Sequence, residues 1–142
     1  MGRFRRLAGD IAYDLYCGIG TITLMLAEHV ESVIGVEVVD EAIECARANA
    51  ERNGMASRIT FLHSDLLKPA SGEPLPTFDL IVSNPPYVSH EERDKVQREV
   101  RKFEPEIAVF GGELGFDIYR RLVPQAQRAL QPGGWLVMEI GF

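Results

Sequence analysis

The chain has 142 residues, with 15 Lys and Arg against 21 Asp and Glu, a formal net charge of −6. That is the length of one domain, and 46% hydrophobic with 25% charged residues is the makeup of a globule that buries a single core, which excludes disordered and fibrous classes. Cys17 and Cys45 are too few for a disulfide framework or a zinc site, and the acidic balance argues against sequence-independent binding to a polyanion. The longest apolar stretch, residues 19–27, lies between Asp14 and Glu28 and is too short to span a bilayer. With no apolar segment of the secretory kind at its start, the sequence predicts a cytoplasmic, reduced protein without a membrane partner.

In chain order, residues 11–16 form an apolar run broken by Gly18 and Gly20, which predicts a buried strand entering a tight loop. Ile22, Met25, Leu26 and Val30 then recur at helical spacing. Residues 32–38 read as a second, β-branched strand. Asp40 caps a helix with Glu41 and Glu44 in its first turns, Ile43, Ala46 and Ala50 as its buried stripe, and Gly54 after Asn53 at its end. A third strand is expected over 59–63, followed by a Pro- and Gly-rich loop over 68–77, and a fourth over 78–83 that stops at Asn84-Pro85-Pro86-Tyr87. Residues 89–104 read as a solvated helix with Val96 and Val100 as a narrow apolar edge. Residues 116–131 carry Ile118, Leu122, Ala126, Ala129 and Leu130 on one helical face, with Pro124 expected to kink the helix or open a second short one. Gln131-Pro132-Gly133-Gly134 is then a turn into a fifth strand over 135–140.

Strands rich in Val, Ile and Leu that alternate with helices imply βαβ crossovers and a mainly parallel sheet covered on both faces, a Rossmann-like doubly wound α/β fold. Ligands in such sheets bind beyond the carboxyl ends of the strands, so residues immediately after strands are the informative ones. Gly18 and Gly20 follow the first strand and Glu37 ends the second about twenty residues later, the spacing at which a glycine loop admits a ligand close to the backbone and a carboxylate accepts from ribose hydroxyls. This implies a nucleoside-containing cofactor, although the loop lacks the third glycine of the dinucleotide fingerprint, Leu24 standing near its place. Asp65 closes the third strand and either accepts from an adenine amino group or caps the next turn. At Asn84-Pro85-Pro86-Tyr87 two prolines fix the backbone, so that the Asn84 side-chain oxygen and the main-chain oxygens of Asn84 and Pro85 form a rigid acceptor ledge for a substrate NH₂, with the Tyr87 ring free to pack on the planar group that bears it. His29, His63 and His90 read as surface or partly buried histidines, none of them well placed after a strand except His90 near the ledge, and no metal cluster is present.

These residues resemble the class I AdoMet-dependent methyltransferases, and within them the protein-(glutamine-N5) methyltransferases of peptide-chain release factors. The resemblance rests on Asn84-Pro85-Pro86-Tyr87, Phe103-Glu104-Pro105, Gly111-Gly112, Gly115-Phe116-Asp117-Ile118-Tyr119-Arg120, Leu130-Gln131-Pro132-Gly133-Gly134 and Glu139-Ile140-Gly141, and it covers nearly the whole chain. It implies S-adenosyl-L-methionine as cofactor, held by Asp14, Tyr16, Cys17, Gly18, Gly20, Glu37, Asp65 and Asn84. It also implies a release-factor glutamine held by Asn84, Pro85, Pro86 and Tyr87. Asn-Pro-Pro-Tyr is shared with enzymes that methylate exocyclic amines of adenine and guanine, so the alternatives are a nucleic-acid acceptor and an AdoMet-binding fragment without turnover. Tyr16 and Cys17 depart from the glycine and small residue of the family, and this loop is similar to that of RNA uridine-C5 methyltransferases. That chemistry needs a nucleophilic cysteine near the acceptor. Neither Cys17, in the cofactor loop, nor Cys45, assigned to the apolar side of a helix, suits it. Against the family pattern, residues 1–142 read as a single catalytic domain without the helical N-terminal domain and without the C-terminal antiparallel hairpin. The fifth strand is therefore expected at an open sheet edge, which favours self-association.

Overall fold

The computed structural model describes residues 10–64, 77–87 and 116–140. Five strands, β1 (Ile11–Leu15), β2 (Ser32–Glu37), β3 (Ile59–His63), β4 (Phe78–Ser83) and β5 (Leu130–Met138), form one sheet in the order β3-β2-β1-β4-β5. Every pairing is parallel. Helices α1 (Thr21–Ala27) and α2 (Asp40–Arg52) cross between the first three strands, and α3 (Asp117–Ala129) precedes β5. This is the Rossmann-like doubly wound class expected, with the order reversing between β1 and β4, where such sheets bind ligands. No antiparallel strand occurs among the described residues. The predicted helix over 89–104 lies outside them.

Two cores follow from alternation along the strands. On one face Ala12 and Val33 pack with Ile43, Ala46 and Ala50 of α2, with Ala27 of α1, and with Ile59 and Phe61. On the other, Tyr13, Leu15, Val36, Phe78 and Ile81 pack with Leu122 and Ala126 of α3. Tyr13 stacks on Phe78 at 4.4 Å between ring centroids. The stripe expected on α2 is the buried one, whereas Cys45, assigned to the apolar side, is exposed. Cys45 stands two residues from Ile43, about 200° round the helix, which turns it to solvent.

Four elements differ from the sequence reading. In α2, Asp40 is the first helical residue and not the cap: Val39 stands at the N-cap with no side-chain cap bond. In α1 the buried residues are Thr23 and Ala27, and Met25 is 64% exposed. Of the expected stripe, Leu26 and Val30 pack against the core and only Met25 is turned out, while Thr23 bonds inward to Asp14. Helix α3 runs through Pro124 as one element and keeps Leu122 and Ala126 buried. The turn Gln131-Pro132-Gly133-Gly134 lies within β5 as a bulge: Phe78 pairs with Leu130 but Leu80 with Trp135, and Gly133 takes φ +85° to absorb the extra residues.

Gly35 of β2 is a glycine of close approach. A Cβ there would lie 2.8 Å from the Phe61 ring and 3.2 Å from Cys17 Sγ, so Phe61 covers the backbone of β2 directly. Gly35→Ala is expected to cost about 1–3 kcal/mol through overpacking, read as a lower denaturation midpoint at an unchanged slope.

Candidate cofactor and acceptor site

The carboxyl ends of four neighbouring strands are tied into one edge. Cys17 N–H continues the β1–β2 ladder by donating to the Val36 carbonyl at 3.0 Å. Ser83 Oγ donates to the Leu15 carbonyl at 3.3 Å, joining β4 to β1, and Glu139 N–H donates to the Ser83 carbonyl at 3.0 Å, joining β5 to β4. The glycine loop, Glu37 and the Asn84 ledge, expected to act together, therefore leave the sheet side by side.

The loop is built tightly. Tyr16 takes φ +61°, Gly18 +54° and Gly20 +85°. Tyr16 thus occupies the left-handed conformation that suits the glycine of the family pattern, at a cost of about 1–2 kcal/mol for an L side chain. A Cβ at Gly20 would come 3.2 Å from Ala46 Cβ and from the Phe61 ring, whereas one at Gly18 would meet nothing within 4 Å. The backbone is packed from below at Gly20 and open above at Gly18, which suits close approach of a ligand. From α2, Asn49 Nδ2 donates to the Ile19 carbonyl at 3.0 Å and steadies the exposed side of the loop. Nothing in the sequence pattern singles out Asn49 for this role.

Two buried carboxylates support the loop. Glu37, 7% exposed, accepts from Gly18 N–H at 2.8 Å through Oε2, and from Val38 N–H at 2.8 Å and Val39 N–H at 3.1 Å through Oε1. Three of the roughly four lone-pair directions of a carboxylate are then used, which leaves Oε2 room for one ribose hydroxyl rather than two. Asp14, 1% exposed, accepts from Thr23 Oγ1 at 2.6 Å. Burial pushes its carboxyl up to about 6; the Thr23 hydroxyl and backbone N–H pull the other way, and the charge of Glu37 adds a further upward push. Thr23 was missed by sequence reasoning. Its signal is a hydroxyl residue between Ile22 and Leu24, four residues before the buried Ala27.

Cys17 is 8% exposed, and burial with the nearby Asp14 and Glu37 charges drives its thiol up to about 12. A neutral thiol is a poor nucleophile, in keeping with the rejection of cysteine chemistry. His63 is exposed, the surface histidine expected, and it ends β3 paired in register with Glu37. Its Nδ1 lies 3.1 Å from Asp40 Oδ1 and its Nε2 2.8 Å from the Val38 carbonyl, so it braces the β2–α2 connection. Asp65 and His90 lie outside the described residues.

On the acceptor side, Asn84 is exposed while Pro85 and Pro86 are buried, Pro85 almost completely, so Asn84 is the part of this segment open to an acceptor. Tyr87 Oη donates to Glu139 Oε1 at 3.4 Å, and Tyr119 Oη donates to the Glu139 carbonyl at 2.9 Å. Partial burial, with Glu139 beside it, raises the Tyr87 hydroxyl above its usual range. Glu139, legible only as part of Glu139-Ile140-Gly141, thus links the ledge to β5. Among the described residues no group of His, Cys, Asp and Glu could hold a metal, and no helix is long and apolar enough to cross a membrane. A nucleoside cofactor fits this edge: it offers open space over Gly18, a buried carboxylate with one free acceptor direction, and a second buried carboxylate beneath the loop.

Comparison with known proteins bears on this arrangement. A release factor glutamine methyltransferase of Koribacter versatilis (strain Ellin345) is 49% identical over 131 residues, covering 91% of this chain and 45% of that protein. Its counterpart in Geobacter sulfurreducens is 43% identical over 130 residues, covering 90% of this chain and 44% of that protein. The chain thus spans less than half the length of these curated relatives. Among solved structures, an SAM-dependent O-methyltransferase of Thermotoga maritima superposes with a TM-score of 0.63 over 92% of this chain and 38% of its own, at 18% identity, a likeness of fold. The methyltransferase small domain matches residues 3–116, most of the chain, with the glycine loop, Glu37 and the Asn84 ledge inside the match, and the chain belongs to that family.

Proposed function

We propose that this chain is the catalytic core of a cytoplasmic N-methyltransferase that uses AdoMet to methylate the side-chain amide nitrogen of a glutamine in a peptide-chain release factor. The observation that carries the reading is the placement of the Asn84-Pro85-Pro86-Tyr87 ledge directly beside the 14–20 loop, tied through Ser83 to Leu15. The relatives' names support the choice of acceptor.

Bound AdoMet supplies an electrophilic methyl on a sulfonium sulfur. The chain's own residues do the rest. Glu37 accepts from one ribose hydroxyl, and the Asp14 charge beneath the loop favours the cationic amino-acid part. An amide nitrogen is a poor nucleophile because its lone pair is delocalised, so catalysis rests on position. The Asn84 side-chain oxygen and the main-chain oxygens of Asn84 and Pro85 accept both N–H bonds and aim the nitrogen. Those acceptors bind more strongly as the nitrogen gains positive charge, which lowers the barrier rather than only the binding energy; the sulfur would leave as a neutral thioether and one amide proton would pass to water. Tyr87, held by Glu139, offers its ring to the planar amide.

The test supplies methyl-labelled AdoMet to the chain with a release factor and, separately, with RNA and DNA. Label on a release-factor glutamine is the expected result. Label in nucleic acid and none in the release factor overturns the choice of acceptor.

Association of two copies through β5 is favoured by that strand's place at the sheet edge, with Trp135 73% and Val137 51% exposed. Sedimentation is expected to show mass rising with concentration, and a monomer at every concentration contradicts it.

A further inference from the structure

Asp14, Thr23, Glu37 and Ser83 are the buried polar or charged side chains among the described residues. Glu37 is satisfied by backbone N–H groups and Ser83 by the Leu15 carbonyl. Asp14 and Thr23 bond to each other, at 2.6 Å, and Thr23 is wholly buried, whereas Thr21, the other hydroxyl residue of α1, is exposed. A valine has the same shape and would bury there without the cost of a hydroxyl, so the hydroxyl is accounted for by its polar neighbours, the Asp14 carboxylate at 2.6 Å and the Cys17 thiol beside it. Thr23 faces inward with Ala27, and Met25 faces out.

We infer that Thr23 is a positioning residue of the cofactor site: its hydroxyl holds the Asp14 carboxylate charged and oriented beneath the 14–20 loop, and so sets the pH range over which the chain binds AdoMet. The inference rests on the AdoMet reading above. The other groups that face Asp14 do not do this. In register it lies between Gly35 of β2 and Val82 of β4, neither of which titrates. Glu37 and the Cys17 thiol are the titratable neighbours; the first opposes the charge on Asp14, and the second stays neutral below about pH 12. The donors on Asp14 that favour its charged form come from Thr23, through hydroxyl and backbone N–H, and a side-chain substitution removes only the hydroxyl.

The pair Thr23→Ser and Thr23→Ala separates this from packing, since both lose the methyl and only the second loses the hydroxyl. Two readouts are used: the Asp14 carboxyl titration in the free chain by carbon-detected NMR, and AdoMet affinity by calorimetry from pH 6 to 9. In Thr23→Ala the Asp14 midpoint is expected to move up by about one pH unit, the size of a lost hydrogen bond to a charged group, and the AdoMet dissociation constant to exceed that of Thr23→Ser by about threefold near pH 6.5. That ratio is expected to shrink toward one at pH 9, where Asp14 is ionised in both. Coincident midpoints in the two variants, or a ratio that stays constant with pH, overturn the inference and leave Thr23 a packing residue. Absence of AdoMet binding by the unaltered chain at every pH overturns the cofactor reading, and this inference with it.

Discussion

Asn84→Ala is expected to lower methyl transfer by at least about a hundredfold while AdoMet affinity stays within about twofold of the unaltered chain. The side chain is exposed at the mouth of the site, between two buried prolines and the buried Ser83, so its removal opens no cavity in the core. What it removes is one of the acceptors for the amide N–H bonds. Those acceptors gain strength only as charge develops on nitrogen, so the loss falls on turnover and not on cofactor binding. Single-turnover transfer to a release factor, with calorimetry run beside it, checks both halves. Full turnover in the variant removes the ledge from the mechanism. Lost affinity and lost turnover together, with a lowered melting temperature, assign Asn84 a structural role instead.

Asp14→Asn is expected to move stability and function in opposite directions. The buried carboxyl is raised from 3.8 to about 6, so between those values the folded chain holds a proton that the unfolded chain has released. Stability from this group therefore falls as pH rises from about 4 through about 6, and above that the folded state carries the full cost of a buried charge. Asparagine keeps an oxygen for the Thr23 hydroxyl and removes the charge. At pH 7 the variant is expected to be more stable than the unaltered chain by on the order of 2 kcal/mol, with the difference vanishing near pH 4. Its AdoMet affinity is expected to fall at pH 7 and to lose its dependence on pH near 6. Denaturation midpoints across that range, with calorimetric titrations at each pH, give both curves. An asparagine variant less stable at pH 7 contradicts the account of Asp14 as a buried charge retained for binding.

Much of the architecture was legible because it depends on local pattern. The bounds of β3 and β4 match the sequence reading, and the Ile43, Ala46 and Ala50 stripe of α2 is the buried one, since periodicity alone decides which face of a long amphipathic helix turns inward. The class of the sheet followed from strands alternating with helices. What escaped depends on bonds between distant residues. In α1 the inward place of Thr23 escaped because it depends on a bond to Asp14 nine residues away, while Leu26 and Val30 of the expected stripe do pack on the core. The capacity of Glu37 was overstated because its three backbone donors come from two separate loops. The bonds of the exposed His63 to Asp40 and the Val38 carbonyl were not legible because they depend on the register between β2 and β3, which the sequence of neither strand specifies. The glycine pair at 133 and 134 read as a turn, and the same flexibility serves a bulge when β4 continues alongside.

The central claim is that the 14–20 loop, Glu37 and Asn84 form one cofactor and acceptor edge. Backbone amide NMR of the labelled chain during AdoMet titration tests it most directly. The account predicts saturable shifts concentrated at Gly18, Gly20, Val38, Val39 and Asn84, with the amides of α3 and the outer edge of β5 unmoved. Saturable shifts centred away from the loop, or none at all, would contradict it.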